Sequence, residues 1–156
     1  MKIAIKRQAV FLLLVGGFCL NQSVLAASET GNARVQIVPA ININQESEID
    51  FGQLSNIDGT CIMSSGGSLS GTAGMDCAGD QVPGVFSISG ADGAVISLSV
   101  TQGSTDGVVF NPVIDGSISR TLANGLTTVT ILGSLILNNA IDGDKNISYT
   151  LTANYE

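Results

Sequence analysis

"TTVTILGSLIL", residues 127–137, is the stretch on which the reading of the fold turns. Its hydrophobic residues recur with a period near two, the signature of a half-buried strand, and no stretch after residue 26 keeps a helical period for three turns. The same alternation appears upstream in "VFSISG", through Val85, Phe86 and Ile88, and in "AVISLSV", through Val95 or Ile96, then Leu98 and Val100. Between these runs stand "SNIDGT", "SSGG", "GTAG", "GADG", "TQGSTDG" and "NAIDGDKN". Their Gly, Asp, Asn and Ser residues tolerate positive φ and bond back to the main chain, as tight turns require. Short strands punctuated in this way predict an all-β sandwich or barrel. "LANGL", residues 122–126, holds an Asn-Gly pair and suits a loop as well as a hairpin. No internal repeat stands out.

The N-terminus carries a different signal. Lys2, Lys6 and Arg7 precede an apolar run from Ala9 to Leu20, and Val24-Leu25-Ala26 offers the small or β-branched residues of a cleavage site. The run is shorter than the roughly 20 residues a membrane helix needs. Residues 1–26 are therefore read as a signal peptide, and the mature chain is expected to be exported without membrane insertion. Phe18 before Cys19 does not suit a lipoprotein signal.

Beyond residue 26 only Arg34, Arg120 and Lys145 remain basic, against all 13 acidic residues, so the formal charge falls from −7 to −10. Such a surface repels phosphate backbones and anionic lipid, and no nucleic-acid partner is expected. The remaining length, about 130 residues, suits one core. In an oxidising compartment Cys61 and Cys77 form one structural disulfide, closing a loop of about 16 residues for about 3 kcal/mol in the chain-entropy account. The Gly/Ser-rich tract 64–74 between them is read as an ordered but mobile loop.

The chain has no His and no Trp. Ser-His-Asp, Cys-His and His-ligated zinc chemistry are excluded on that ground. Glu46, Glu48 and Asp50 read as a solvated acidic face rather than an acid/base pair, which requires a cleft. "DGDKN", residues 142–146, begins like a calcium loop, but Ile147 and Ala153 stand where Gly and a bidentate Glu belong. No catalysis, metal or cofactor is expected.

Both ends of the mature chain alternate. Ala33, Val35, Ile37, Ile41 and Ile43 share one face of an extended segment, with Pro39 keeping the phase. Such a strand either pairs within its own domain or lies in a neighbour's groove by β-strand addition, and Pro39, lacking an amide hydrogen, disfavours a central position. At the other end "GDKNISYTLTANYE" places Tyr149, Leu151, Ala153 and Tyr155 on one face, with Gly143 fourteen residues from the terminus and Tyr155 penultimate.

This ending resembles the C-terminal signature of chaperone–usher pilins. In addition, "IDFGQL" (49–54), "FSISG" (86–90), "ISLSV" (96–100), "ILGSLIL" (131–137) and "YTLTANYE" (149–156) follow the motif order of a bacterial pilin-like domain family of unknown function with an Asp-Phe-Gly motif and a penultimate Tyr. The chain departs from that pattern at Leu132-Gly133-Ser134, where the family has Gly-Gly, and at Lys145-Asn146, where it has Tyr.

The resemblance implies an immunoglobulin-like sandwich over residues 39–156, left incomplete and finished by donor-strand addition, preceded by an arm at 27–38. It further implies a structural subunit of a pilus, with a periplasmic chaperone, an outer-membrane usher and neighbouring pilus subunits as partners. The implied location is the periplasm in transit, then a cell-surface fimbrium. On this reading Ala33, Val35 and Ile37 fill the neighbour's pockets, and Ile41 and Ile43 either extend the arm or open the domain. Gly143, Tyr149, Leu151, Ala153 and Tyr155 belong to the groove's edge, and the terminal carboxylate of Glu156 meets basic chaperone residues. The alternative is a self-contained secreted sandwich, a coat component or binding module, in which both termini are ordinary strands. The lack of Trp weakens its sugar-binding version.

Overall fold

The computed structural model describes residues 27–72 and 74–156; residues 1–26, the segment read above as a signal peptide, lie outside them. The chain divides into two units at Val35/Gln36. Residues 27–35, the described part of the first, are exposed and form neither helix nor strand. The strands described next all belong to the second unit.

Twelve strands and no helix make up this unit among the described residues: β1 (Asn42–Ser47), β2 (Gln53–Leu54), β3 (Gly59–Met63), β4 (Leu69–Gly71), β5 (Cys77–Ala78), β6 (Gly84–Ser89), β7 (Val95–Thr101), β8 (Gly103–Thr105), β9 (Val108–Ile114), β10 (Ser119–Thr121), β11 (Leu126–Leu137) and β12 (Thr150–Tyr155). The all-β expectation holds, and every pairing is antiparallel. The strands curl into a sandwich-like arrangement of one seven-stranded and one three-stranded sheet, with β2 and β5 forming a small ribbon.

β11 organises the larger sheet. Ile131 pairs with Gly84 of β6 and with Ile114 of β9, so those strands lie on opposite edges of β11. Beyond residue 132, β3 takes over from β6, with Gly133 opposite Met63. β1 pairs only with β6, from Asn42↔Ser89 to Ser47↔Val85, with a bulge between Gln45 and Ser47. In the smaller sheet β7 is central, flanked by β10 and β12.

The alternation read from the sequence sorts into a core. Ile88, Ile96, Leu122, Val129 and Ile131 are fully buried, joined by Phe110, Leu98 and Met63. In "AVISLSV" Ile96 is the inward residue, while Val95 is 38% exposed. Burying each such side chain contributes about 1.5–3 kcal/mol. The Asp-Phe-Gly motif supplies another anchor. Phe51 is buried edge-on against Phe110, with centroids 5.7 Å apart, and the Asp50 carboxylate accepts the Gly52 amide hydrogen at 2.8 Å.

Three local readings are refined by the structure. Asn124 and Gly125 both have positive φ and close a tight turn bridged by Ala123 and Leu126. That turn does not make an ordinary hairpin, because β10 joins one sheet and β11 the other. Within "TQGSTDG" only Asp106-Gly107 is the turn; Gly103–Thr105 pairs with β9 as β8. The Gly/Ser-rich tract is also more structured than a loop, since Leu69–Gly71 pairs with β3. Cys61 of β3 and Cys77 of β5 form the disulfide, which ties the ribbon to the larger sheet.

Candidate functional site

β1 and β12 are among the strands that have a single partner each. β1 pairs along one edge with β6, and β12 pairs along one edge with β7; among the described residues no strand lies against their other edges. Between them runs a groove of ≈ 1210 Å³. Ile43 and Gln45 of β1 line one wall, Tyr149, Thr150 and Leu151 the other, and Phe86, Phe110 and Leu135 lie between them.

Sequence chemistry explains the floor. Phe51, Phe110, Tyr149 and Phe86 form a chain of edge-to-face aromatic contacts, with Phe110–Tyr149 centroids 5.2 Å apart and Phe86–Tyr149 centroids 6.1 Å apart. This geometry suits ring quadrupoles. Tyr149 Oη is buried without a hydrogen-bond partner. Burial pushes its ionisation upward, and the nearby Glu48 charge adds to the shift.

One end of the groove is pinned. The Tyr155 hydroxyl donates to the Pro39 carbonyl at 2.8 Å and accepts the Ala91 amide hydrogen at 2.7 Å. The end of β12 is thereby tied to the segment leading into β1 and to the turn after β6. The tyrosine ring fits because residue 90 is glycine: a Cβ there would collide with the Tyr155 hydroxyl and approach Leu122 Cδ1 to 2.9 Å. At the opposite end β1 passes its bulge and stops at Ser47, opposite Val85 of β6. That mouth is acidic, carrying Glu48 and Asp50 from one side and Asp142 and Asp144 from the other. Lys145, also at the mouth, sits 3.5 Å from Asp106, and Asn56 donates to Asp142 at 2.6 Å.

The outer face of β1 adds Glu46, whose Oε1 accepts from Ser87 Oγ at 2.6 Å and from Asn44 Nδ2 at 2.9 Å. These two bonds, Ser87 first, hold its carboxyl below the usual carboxylate range.

The residues singled out in the sequence fall into three places. Gly143, Tyr149, Leu151 and Ile43 line the groove. Ala153 and Tyr155 lie on the same inward face of β12 but pack on the core beyond the groove, and Glu156 binds Ser119 Oγ through its side chain at 2.9 Å. Ala33, Val35 and Ile37 lie outside any strand, with Val35 and Ile37 83% and 89% exposed, whereas Ile41 packs against the core and Ile43 is the second residue of β1. Sequence reasoning missed Phe86 and Phe110 as groove residues and Tyr155 as its clasp. Pairing partners distant in the chain put them there, and only the aromatic character of these positions hinted at it.

No protein family, no curated protein and no solved structure matches this chain.

Proposed function

We propose that this chain is a structural subunit of a bacterial surface fibre of the chaperone–usher kind, built by donor-strand exchange. The observation that carries this reading is the groove between two single-partnered edge strands, floored by aromatic and aliphatic core residues. An open strand edge beside apolar side chains invites another strand, which satisfies the edge amides and carbonyls and covers the side chains together. The immunoglobulin-like sandwich spans residues 39–156, and the arm at 27–38 is the strand it donates. Val35 and Ile37, exposed in this chain, each stabilise a partner by about 1.5–3 kcal/mol when buried in its groove. A periplasmic chaperone covers the groove before assembly, the usher receives the subunit, and residues 1–26 direct export.

The test is deletion of residues 27–38. The truncated protein is expected to stay folded, bind its chaperone and fail to add to a growing fibre. Ile37→Asp in the full chain forces a charge into the neighbour's groove and nearly abolishes exchange. A self-contained sandwich behaves differently: the deletion lowers its own melting temperature and the intact protein stays monomeric. Size-exclusion chromatography and thermal melts of both proteins separate the two.

A further inference from the structure

The turn at residues 122–126 takes no part in the groove lining and holds the only Asn-Gly pair in the chain. We infer that Asn124 is a site of spontaneous covalent modification, losing its side-chain nitrogen as ammonia to become aspartate or isoaspartate, and that the Asp92 carboxylate holds this reaction back in the folded chain. The Gly125 nitrogen attacks Asn124 Cγ. The new C–N bond closes a succinimide ring, the Cγ–Nδ2 bond breaks, and the proton given up by the Gly125 amide leaves with the side-chain nitrogen as ammonia. Water then opens the ring at either carbonyl, giving aspartate or, with the main chain rerouted through the side chain, isoaspartate. Glycine permits the attack because it has no Cβ to block the approach of its backbone. Asn124 is exposed, so water reaches the ring. The five Asp-Gly pairs share the glycine but have no ammonia to lose, and an ionised carboxylate is a poor electrophile.

The fold restrains the attacking nitrogen. The Gly125 amide hydrogen is shared between Asp92 Oδ1, 3.2 Å from the nitrogen, and the Leu122 carbonyl oxygen, 3.4 Å from it. Attack on Cγ requires the Asn124–Gly125 peptide plane to rotate and both bonds to break. It also requires the nitrogen to shed its proton, and a carboxylate beside it disfavours the anion that forms. The turn has little slack. Asn124 and Gly125 both hold positive φ, Gly125 accepts the Gly90 amide hydrogen at 3.0 Å, and a Cβ on Gly125 would come within 2.9 Å of the Gly90 carbonyl oxygen. Isoaspartate adds a methylene to the main chain here and displaces the Gly125 carbonyl from Gly90. The next residue, Ala91, donates to the Tyr155 hydroxyl, so the change reaches the closed end of the groove. A chain that has spent time unfolded thus carries a mark at Asn124 that loosens this end.

The experiment incubates the purified chain from residue 27 onward in mildly alkaline buffer, native and in concentrated urea, and follows each asparagine by peptide mass spectrometry and isoaspartate by enzymatic methylation. In urea Asn124 should convert ahead of every other asparagine, and in native buffer it should convert far more slowly. Asp92→Ala should raise the native rate about tenfold, the effect of one hydrogen bond to a charged group, and leave the rate in urea unchanged. Asp92→Asn, which keeps an acceptor without the charge, should fall between the two and stands as the test if Asp92→Ala does not fold. Cys61 lies opposite Leu135, at the other end of β11 from this turn. The Cys61→Ala/Cys77→Ala chain should therefore keep the wild-type native rate, which separates the Asp92 contact from a general loss of stability. Converted protein should exchange its Gly90 and Ala91 amide hydrogens faster than unconverted protein; equal exchange overturns the link to Tyr155. Another asparagine converting first in urea overturns the site. Equal rates in native buffer and urea overturn the protection, and an unchanged native rate in both Asp92 variants overturns the role of Asp92.

Discussion

β11 and β12 are written in the same alternating code, yet they end in different environments. Val129 and Ile131 of β11 are fully buried, and Leu135 and Leu137 nearly so. On β12 and the residue before it, Tyr149, Leu151, Ala153 and Tyr155 face the same core but remain only half-buried. β11 has strands on both edges, whereas β12 has β7 alone. Alternation decides which face turns inward; the number of flanking strands decides how completely that face is covered.

The largest effect expected from this contrast is on core truncation. Ile131→Ala should cost about 2–5 kcal/mol in denaturant melts of the isolated protein, and Leu151→Ala about half as much. Filling the groove with the arm peptide should raise the cost of Leu151→Ala and leave that of Ile131→Ala unchanged. Equal costs in the isolated protein break the comparison.

Next in size is the disulfide, which anchors the β11 side of the molecule through β3. Replacing Cys61 and Cys77 together by Ala should lower stability by about 3 kcal/mol. Thiol labelling of the unfolded, unreduced chain from residue 27 onward should find no reactive group; two labels contradict the bridge.

A smaller effect is expected at the clasp on the β12 side. Tyr155→Phe removes the bonds to Pro39 and Ala91 and should cost about 1–2 kcal/mol. Hydrogen exchange should speed up at β12 and at the start of β1 while β11 stays protected. Uniform acceleration over all three strands contradicts the assignment of Tyr155 to the groove's closed end.

The finest test is a titration. Tyr149 ionises above its ordinary value because burial disfavours the phenolate and Glu48 repels it. A raised folded-state value means that this contribution to stability is fully present below the ordinary tyrosine range and is lost as pH rises through the folded value. Covering the groove removes more water from Tyr149, so the arm peptide should move its absorbance-monitored ionisation further upward. A downward move places the peptide elsewhere.

Much of this was legible residue by residue. Period-two alternation in "TTVTILGSLIL" and "AVISLSV" marks strands because a strand exposes its two faces in turn, whatever it later pairs with. Two cysteines in a chain read as exported predict one bridge, and Cys61 and Cys77 form it. Asn124-Gly125 predicts a tight turn because positive φ is a local property.

What depends on partners was not legible. Ala33 to Ile43 reads as one extended face, but β1 begins only at Asn42, where Ser89 of β6 lies opposite. Phe86 and Phe110, 24 positions apart in the chain, join one groove because β6 and β9 flank opposite edges of β11. The Tyr155 hydroxyl reaches Pro39, 116 positions away. Local φ preference and side-chain alternation are properties of a few consecutive residues, so the chain alone determined strands, turns and the bridge. Strand order, the unpaired edges of β1 and β12 and the groove between them arise from hydrogen bonds across the whole chain, and only the tertiary structure decided them.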